Sequence, residues 1–119
     1  MKRKIKVGIT HGDINGISYE IIIKALSNSQ ILENCTPIIY GSSKVAAYHR
    51  KLTHVNSFNL NTINSANEAN ERRINIVNCI NDDIRVELGI STAAAGKASF
   101  LSLERGVKDL KAGLIDVLV

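Results

Sequence analysis

Tryptophan is absent from this 119-residue chain and aromatic residues make up only 4% of it, though Ile, Val, Leu and Ala are enough for a core. There are two cysteines, Cys35 and Cys79, far apart and without a C-x-x-C pair. Two such residues give no disulfide framework to infer, and point to free thiols in a reducing compartment rather than to a disulfide. No run approaches the ~20 apolar residues of a membrane span. Met1–Thr10 lacks the apolar stretch of a signal peptide, so the chain reads as cytoplasmic with no membrane partner. The net charge of +4 is spread out. Its densest cluster, Lys2-Arg3-Lys4-Lys6, is too short and local to indicate nucleic acid, and reads as a solubilising strand edge. With 45% apolar and 22% charged residues, the composition is that of an ordinary globular domain.

What is present alternates in type. Lys4–Thr10 reads as a strand, followed by a glycine turn and a helix from about Ser18 to Leu26. Ser18 is the expected N-cap, and Glu20 suits the positive end of the helix dipole. Pro37, the sole proline, is expected to open a second strand, Ile38-Ile39-Tyr40, closed by Gly41. Ser42-Ser43 then caps a helix carrying Val45, Ala46, Tyr48 and His49. Two consecutive βα units predict an α/β fold, a mostly parallel sheet with helices on both faces.

Val55–Asn70 is rich in Asn and poor in apolar residues, with a hint of a short strand at Phe58 and Leu60. Ser65-Ala66-Asn67-Glu68 has capping-box spacing for one helical turn. Ile74, Ile76, Val77 and Ile80 suggest another strand, and Asn81-Asp82-Asp83 a turn. Alternation at Ile84, Val86 and Leu88 predicts a half-exposed antiparallel strand after it. Ser91-Thr92 opens the longest helix. Its stripe of Phe100, Leu103, Val107, Leu110 and Leu114 is expected to cover the sheet. Ala95, Ser99, Ser102 and Gly106 form a small-residue stripe beside it, and Gly113 ends the helix. Ile115–Val119 then starts a buried strand. A helix leading into such a strand is the second half of a crossover, so residues 1–119, with no internal boundary, read as the N-terminal part of a larger domain.

The candidate site is the first glycine turn: Thr10, His11, Gly12, Asp13, Asn15 and Gly16, close to a substrate or cofactor. A strand, two glycines and a helix start make a ligand seat at a sheet's carboxyl edge. The turn is neither G-x-G-x-x-G nor a phosphate loop ending in Gly-Lys-Ser/Thr. His11 can donate to a substrate phosphate or orient a neighbour, or it can be a loop histidine bonded to backbone. Asp13 can close an Asx turn or meet a ligand hydroxyl. His49 and His54, five apart, lack the spacing of a helical metal pair and read as solvated. No Ser-His-Asp or Cys-His set is assembled by spacing.

Thr10, Gly12, Asp13, Gly16, Ile17 and Glu20 resemble the N-terminal loop of the 4-hydroxythreonine-4-phosphate dehydrogenases of vitamin B6 biosynthesis, typically Thr-Pro-Gly-Asp-Pro-Ala-Gly-Ile-Gly-Pro-Glu. A looser likeness extends to the isocitrate and isopropylmalate dehydrogenases. The chain departs at His11, Ile14, Asn15, Ser18 and Tyr19, losing prolines that would pre-set the loop. Ala95-Gly96-Lys97-Ala98, Gly113 and Ile115–Val119 resemble the same family, whose strand there leads into Thr-Ala-Pro-x-x-Lys. The resemblance implies an incomplete isopropylmalate-dehydrogenase-like fold covering about the first third of a member. It also implies NAD or NADP, a divalent metal held by histidines from the later chain, a small phosphorylated substrate oxidised and then decarboxylated, and a homodimer when complete. The fragment alone is expected to be inactive. Two other readings stand beside it: another decarboxylating hydroxy-acid dehydrogenase, and a non-enzymatic α/β interaction module.

Overall fold

Strand β1 (Ile5–Thr10) lies inside the sheet, paired in parallel with β2 (Cys35–Gly41) on one side and β5 (Val117–Leu118) on the other. The computed structural model describes residues 4–28, 30–55, 58–80 and 84–119. The sheet continues through β4 (Ile74–Asn78) to β3 (Leu60–Ile63) at the far edge, in the order β3-β4-β2-β1-β5 with every pair parallel. Buried runs such as Ile38-Ile39-Tyr40 and Ile74–Val77 are what a parallel sheet covered on both faces requires.

Adjacent residues of β2 point to opposite faces. Ile39 joins Ile76 under helices α1 (Ser18–Leu26) and α3 (Ser43–Thr53), in a core with Tyr19, Ile23, Val45 and Ala46. Ile38 and Tyr40 join Val77 and Ile115 on the other face. Helix α4 (Ala93–Lys111) lies there, with the Tyr40 hydroxyl donating to Asp109 Oδ2 at 2.8 Å. A four-residue helix α2 (Ile31–Asn34) leads into β2. The α/β expectation holds, and no helix among the described residues is long and apolar enough to cross a membrane.

Besides the buried strand expected over Ile115–Val119, which is only Val117–Leu118 and partly exposed at the sheet edge, four local expectations fail. Pro37 lies inside β2 instead of opening it. It is tolerated because the ladder to β4 begins one residue later, at Ile38 opposite Asn75, whose side-chain amide takes the Pro37 carbonyl (3.2 Å). Buried Asn75 also accepts from Asn61 Nδ2 and the Asn70 amide, which gives the Asn-rich stretch a structural use. Ser18 is not the N-cap of α1; Ile17 holds that position, without a side-chain cap. Ile84–Leu88 is not a strand: among the described residues it joins no ladder, and its Glu87 amide donates to Asn15 Oδ1. Instead Ile84 and Val86 pack on the first core cluster; the turn expected at Asn81–Asp83 lies outside the described residues.

The fourth failure concerns α4. Its sheet-facing side is the small-residue side: Ala95, Ala98, Ser102, Gly106 and Asp109 are buried, while Phe100, Leu103, Val107 and Leu110 are exposed. Small side chains let the helix axis approach the strands closely, and the bulky ones are left on an outer flank. The short helical turn does form, as a 3-10 turn at Ala66–Glu68, but Ser65 caps it with its backbone carbonyl, not its side chain.

Candidate functional site

The seven residues between β1 and α1 lie at the carboxyl end of the sheet, where the chain leaves β1 towards β2 and returns later on its other side as β5. Such a change of direction is where open α/β sheets seat ligands. Thr10 ends β1 and donates from N and Oγ1 to the Val119 carbonyl, both at 3.0 Å, tying the loop to the end of β5. Gly12 has φ +63°, a left-handed conformation that favours glycine, and an added Cβ would come within 2.8 Å of Ser18 Oγ. Asp13 Oδ1 accepts from the Asn15 amide (3.0 Å), closing an Asx turn, and the Asp13 carbonyl accepts from Gly16 N (3.1 Å).

Beneath this rim the loop is anchored by buried side chains. The His11 backbone amide donates to Ser102 Oγ on α4, which in turn donates to the Tyr40 carbonyl. The His11 ring is fully buried. Its Nε2 lies 2.9 Å from the Ala98 carbonyl, which can only accept, so Nε2 carries the proton. Nδ1 is then the acceptor for the Tyr19 hydroxyl at 2.8 Å, and that hydroxyl accepts from the Ser42 amide at 3.1 Å. Burial lowers the His11 pKa, opposed by the Ala98 carbonyl, so the ring is neutral near pH 7. Burial raises the Tyr19 pKa well above the usual phenol value, which keeps the donor proton in place.

Of the two readings of His11, this geometry supports the loop-holding one: both ring nitrogens are engaged and neither faces solvent. Asn15 is a second anchor. Its Nδ2 donates to the Ile90 carbonyl (2.8 Å), its Oδ1 accepts from Glu87 N (2.8 Å), and its carbonyl accepts from Gly89 N (2.8 Å). His49 corrects the solvated reading. It is buried, donates from Nε2 to the Ile14 carbonyl at 2.7 Å, and stacks on Tyr19 with ring centroids 5.3 Å apart. His54 is exposed, as expected, and caps α3 with φ +58°.

The structure therefore brings all six candidate residues into one loop and divides them. Thr10, Gly12, Asp13 and Gly16 make the accessible rim, and His11 and Asn15 hold it from below. Beside the rim a cleft of about 320 Å³ is lined by Gly16, Ile17, Glu20, Leu52, Thr53 and Leu88. The rim can accept from a ligand hydroxyl through Asp13 and admit a ligand close to the Gly12 and Gly16 backbone, but it contains no free acid–base pair. Glu20 is occupied by Lys24 at 2.9 Å. Among the described residues no group of three or more His, Cys, Asp or Glu is placed to hold a metal ion, so these residues do not fit a metal site. Tyr19, His49, Ala98 and Ser102 were the anchors that sequence reasoning missed. A tyrosine just after a glycine turn, in a chain so poor in aromatics, was the available signal.

Comparisons with known proteins agree with this architecture. The family model described as pyridoxal phosphate biosynthetic protein PdxA matches residues 33–119. The chain belongs to this family. A 4-hydroxythreonine-4-phosphate dehydrogenase of Bacteroides thetaiotaomicron is 50% identical over 118 residues, covering 99% of this chain and 32% of the relative. Its counterpart in a Sulfurihydrogenibium species is 39% identical over 97% of this chain and 34% of its own length. The crystal structure of a 4-hydroxythreonine-4-phosphate dehydrogenase from Burkholderia phymatum superposes with a TM-score of 0.86 at 26% identity, over 98% of this chain and 36% of that one. The chain thus spans about a third of the length of these dehydrogenases.

Proposed function

We propose that this chain is the first third of a 4-hydroxythreonine-4-phosphate dehydrogenase acting in pyridoxal phosphate biosynthesis. Half of its residues are identical to those of the Bacteroides dehydrogenase across nearly its whole length, and this observation carries the reading. The complete enzyme oxidises the hydroxyl of a small phosphorylated substrate by hydride transfer to NAD or NADP, and the keto acid then loses carbon dioxide. The divalent metal of such an enzyme is held by residues beyond this stretch. The complete protein works as a homodimer in the cytoplasm.

Within that enzyme the Thr10–Gly16 loop serves as a ligand rim. Gly12 and Gly16 allow backbone approach, Asp13 offers a carboxylate to a hydroxyl, and the buried His11 and Asn15 hold the rim in shape. The test uses a chimera in which residues 1–119 replace the matched segment of the Bacteroides relative. The chimera should reduce NAD or NADP with 4-phosphohydroxythreonine, and the 119 residues alone should show no turnover with any divalent metal. In the chimera, Gly12→Val should raise KM for substrate or cofactor about tenfold, an affinity loss of about 1.4 kcal/mol. Unchanged kinetics in that variant would remove the loop from the site.

A further inference from the structure

His49 is 3% exposed, yet one side of its ring is unused. Nε2 lies 2.7 Å from the Ile14 carbonyl, which can only accept, so Nε2 carries the proton and Nδ1 is left as a bare acceptor. Nδ1 has no hydrogen-bond partner among the described residues. Nor is it sealed in: among those residues, the one buried side-chain polar atom both enclosed and unpartnered is Thr36 Oγ1. The stack on Tyr19 and the bond to Ile14 fix the ring, and the ring lines the cleft beside the rim. A rigidly held acceptor in so buried a side chain costs free energy unless something donates to it.

The rest of the lining narrows what that donor belongs to. Ile17, Leu52 and Leu88 are 66%, 49% and 49% exposed, large apolar side chains gathered around the opening. Thr53 gives its hydroxyl proton to the Arg50 carbonyl at 2.9 Å, and Glu20 is held by Lys24, so neither offers a free donor. Among the described residues no Lys or Arg lines the cleft, and its one acidic side chain disfavours a phosphate or carboxylate. At about 320 Å³ the space suits a molecule of ring size.

We propose that this cleft binds an uncharged, ring-sized apolar molecule whose O–H or N–H donates to His49 Nδ1, and that its occupancy stiffens the Thr10–Gly16 rim. A donor at Nδ1 polarises the imidazole and strengthens its Nε2–H bond to Ile14, which lies in the loop itself. The proposal stands on the geometry of the cleft and not on the dehydrogenase reading, so its test reads binding and not turnover. The probe is phenol, added to the 119-residue chain at pH 8 and followed by NMR. Beside it stand anisole, the same ring with its donor methylated, and benzoate, the ring carried as an anion. Phenol should shift the His49 Nδ1 resonance and the Gly16 and Gly89 amides saturably, and slow exchange of the Gly16 amide. Anisole and benzoate should bind at least about tenfold more weakly. Equal affinity for phenol and anisole, or tighter binding of benzoate at the uncapped start of α1, would overturn the proposal. So would the absence of a saturable shift, or unchanged Gly16 exchange at saturation. His49→Phe keeps a ring against Tyr19 and should bring phenol down to the affinity of anisole; a retained preference for phenol would count against the assignment. That variant also strands the Ile14 carbonyl, so if it fails to fold the probe series on the unaltered chain decides alone.

Discussion

The first two βα junctions of this chain look alike in sequence and are built on different plans. Between β2 and α3 the turn is a single residue, Ser42, whose side chain caps the helix through the Val45 amide at 3.3 Å. Between β1 and α1 there are seven residues, a left-handed glycine, and no side-chain cap at all. The short junction is satisfied locally. The long one borrows its support from α4, from the 84–92 segment and from the short junction itself, through the Ser42 amide on the Tyr19 hydroxyl. A loop held from outside can keep its rim open for a ligand, whereas a self-capped turn has nothing left to offer one.

That contrast can be broken at its point of contact. Gly41 lies at the end of β2, yet a side chain there would run into the Tyr19 hydroxyl and, at 2.8 Å, His11 Nδ1. Gly41→Val should therefore cost about 3 kcal/mol in denaturant unfolding and disturb the distant loop as well as its own turn. A next, smaller effect is expected from Tyr19→Phe. It strands His11 Nδ1 and the Ser42 amide in a buried place and should cost about 2 kcal/mol. Amide exchange at Asn15 and Gly16 should quicken more than exchange in β1 and β2; a uniform change would mean that Tyr19 supports the core and not the loop.

Ser42→Ala sharpens the comparison from the other side. Loss of a side-chain cap should cost about 1 kcal/mol, with Asn15 and Gly16 exchange unchanged, because the Ser42 amide still reaches Tyr19. The smallest effect concerns pH. His11 has a lowered pKa, so the unfolded chain takes up its proton first, and stability should fall as pH drops below about 6.5 and be flat above it. Thermal unfolding between pH 5.5 and 7.5 should show this slope in the parent chain and lose it in His11→Gln.

Much of the fold was legible because strand residues here are β-branched and flanked by glycine or serine, as at Ile38–Ser42. The errors have a common cause: periodicity weighs bulk, and this chain often packs by smallness or by polar bonds. The face of α4 that meets the sheet is mostly alanine, serine and glycine, so bulk points to the wrong stripe. Ile84–Leu88 alternates like a strand, but its Glu87 amide is taken by the Asn15 side chain instead of a ladder. The glycine turn between β1 and α1 was legible in outline. That His49 lies buried beneath it was not, because a histidine amid Tyr48 and Arg50 has the sequence surroundings of a solvated one.

The anchors of the loop also set a timetable. His11 is bonded to Ala98 and Ser102, and Asn15 to Glu87 and Ile90, across separations of 72 to 91 residues. Contacts so distant along the chain form only after the intervening segments have collapsed. The glycine turn thus leaves the ribosome before the segments that anchor it and takes its shape only after them. Until α4 settles on the sheet it is an unformed strand-end, and a nascent chain stalled before Ala98 should carry β1 and β2 without an ordered Thr10–Gly16 loop.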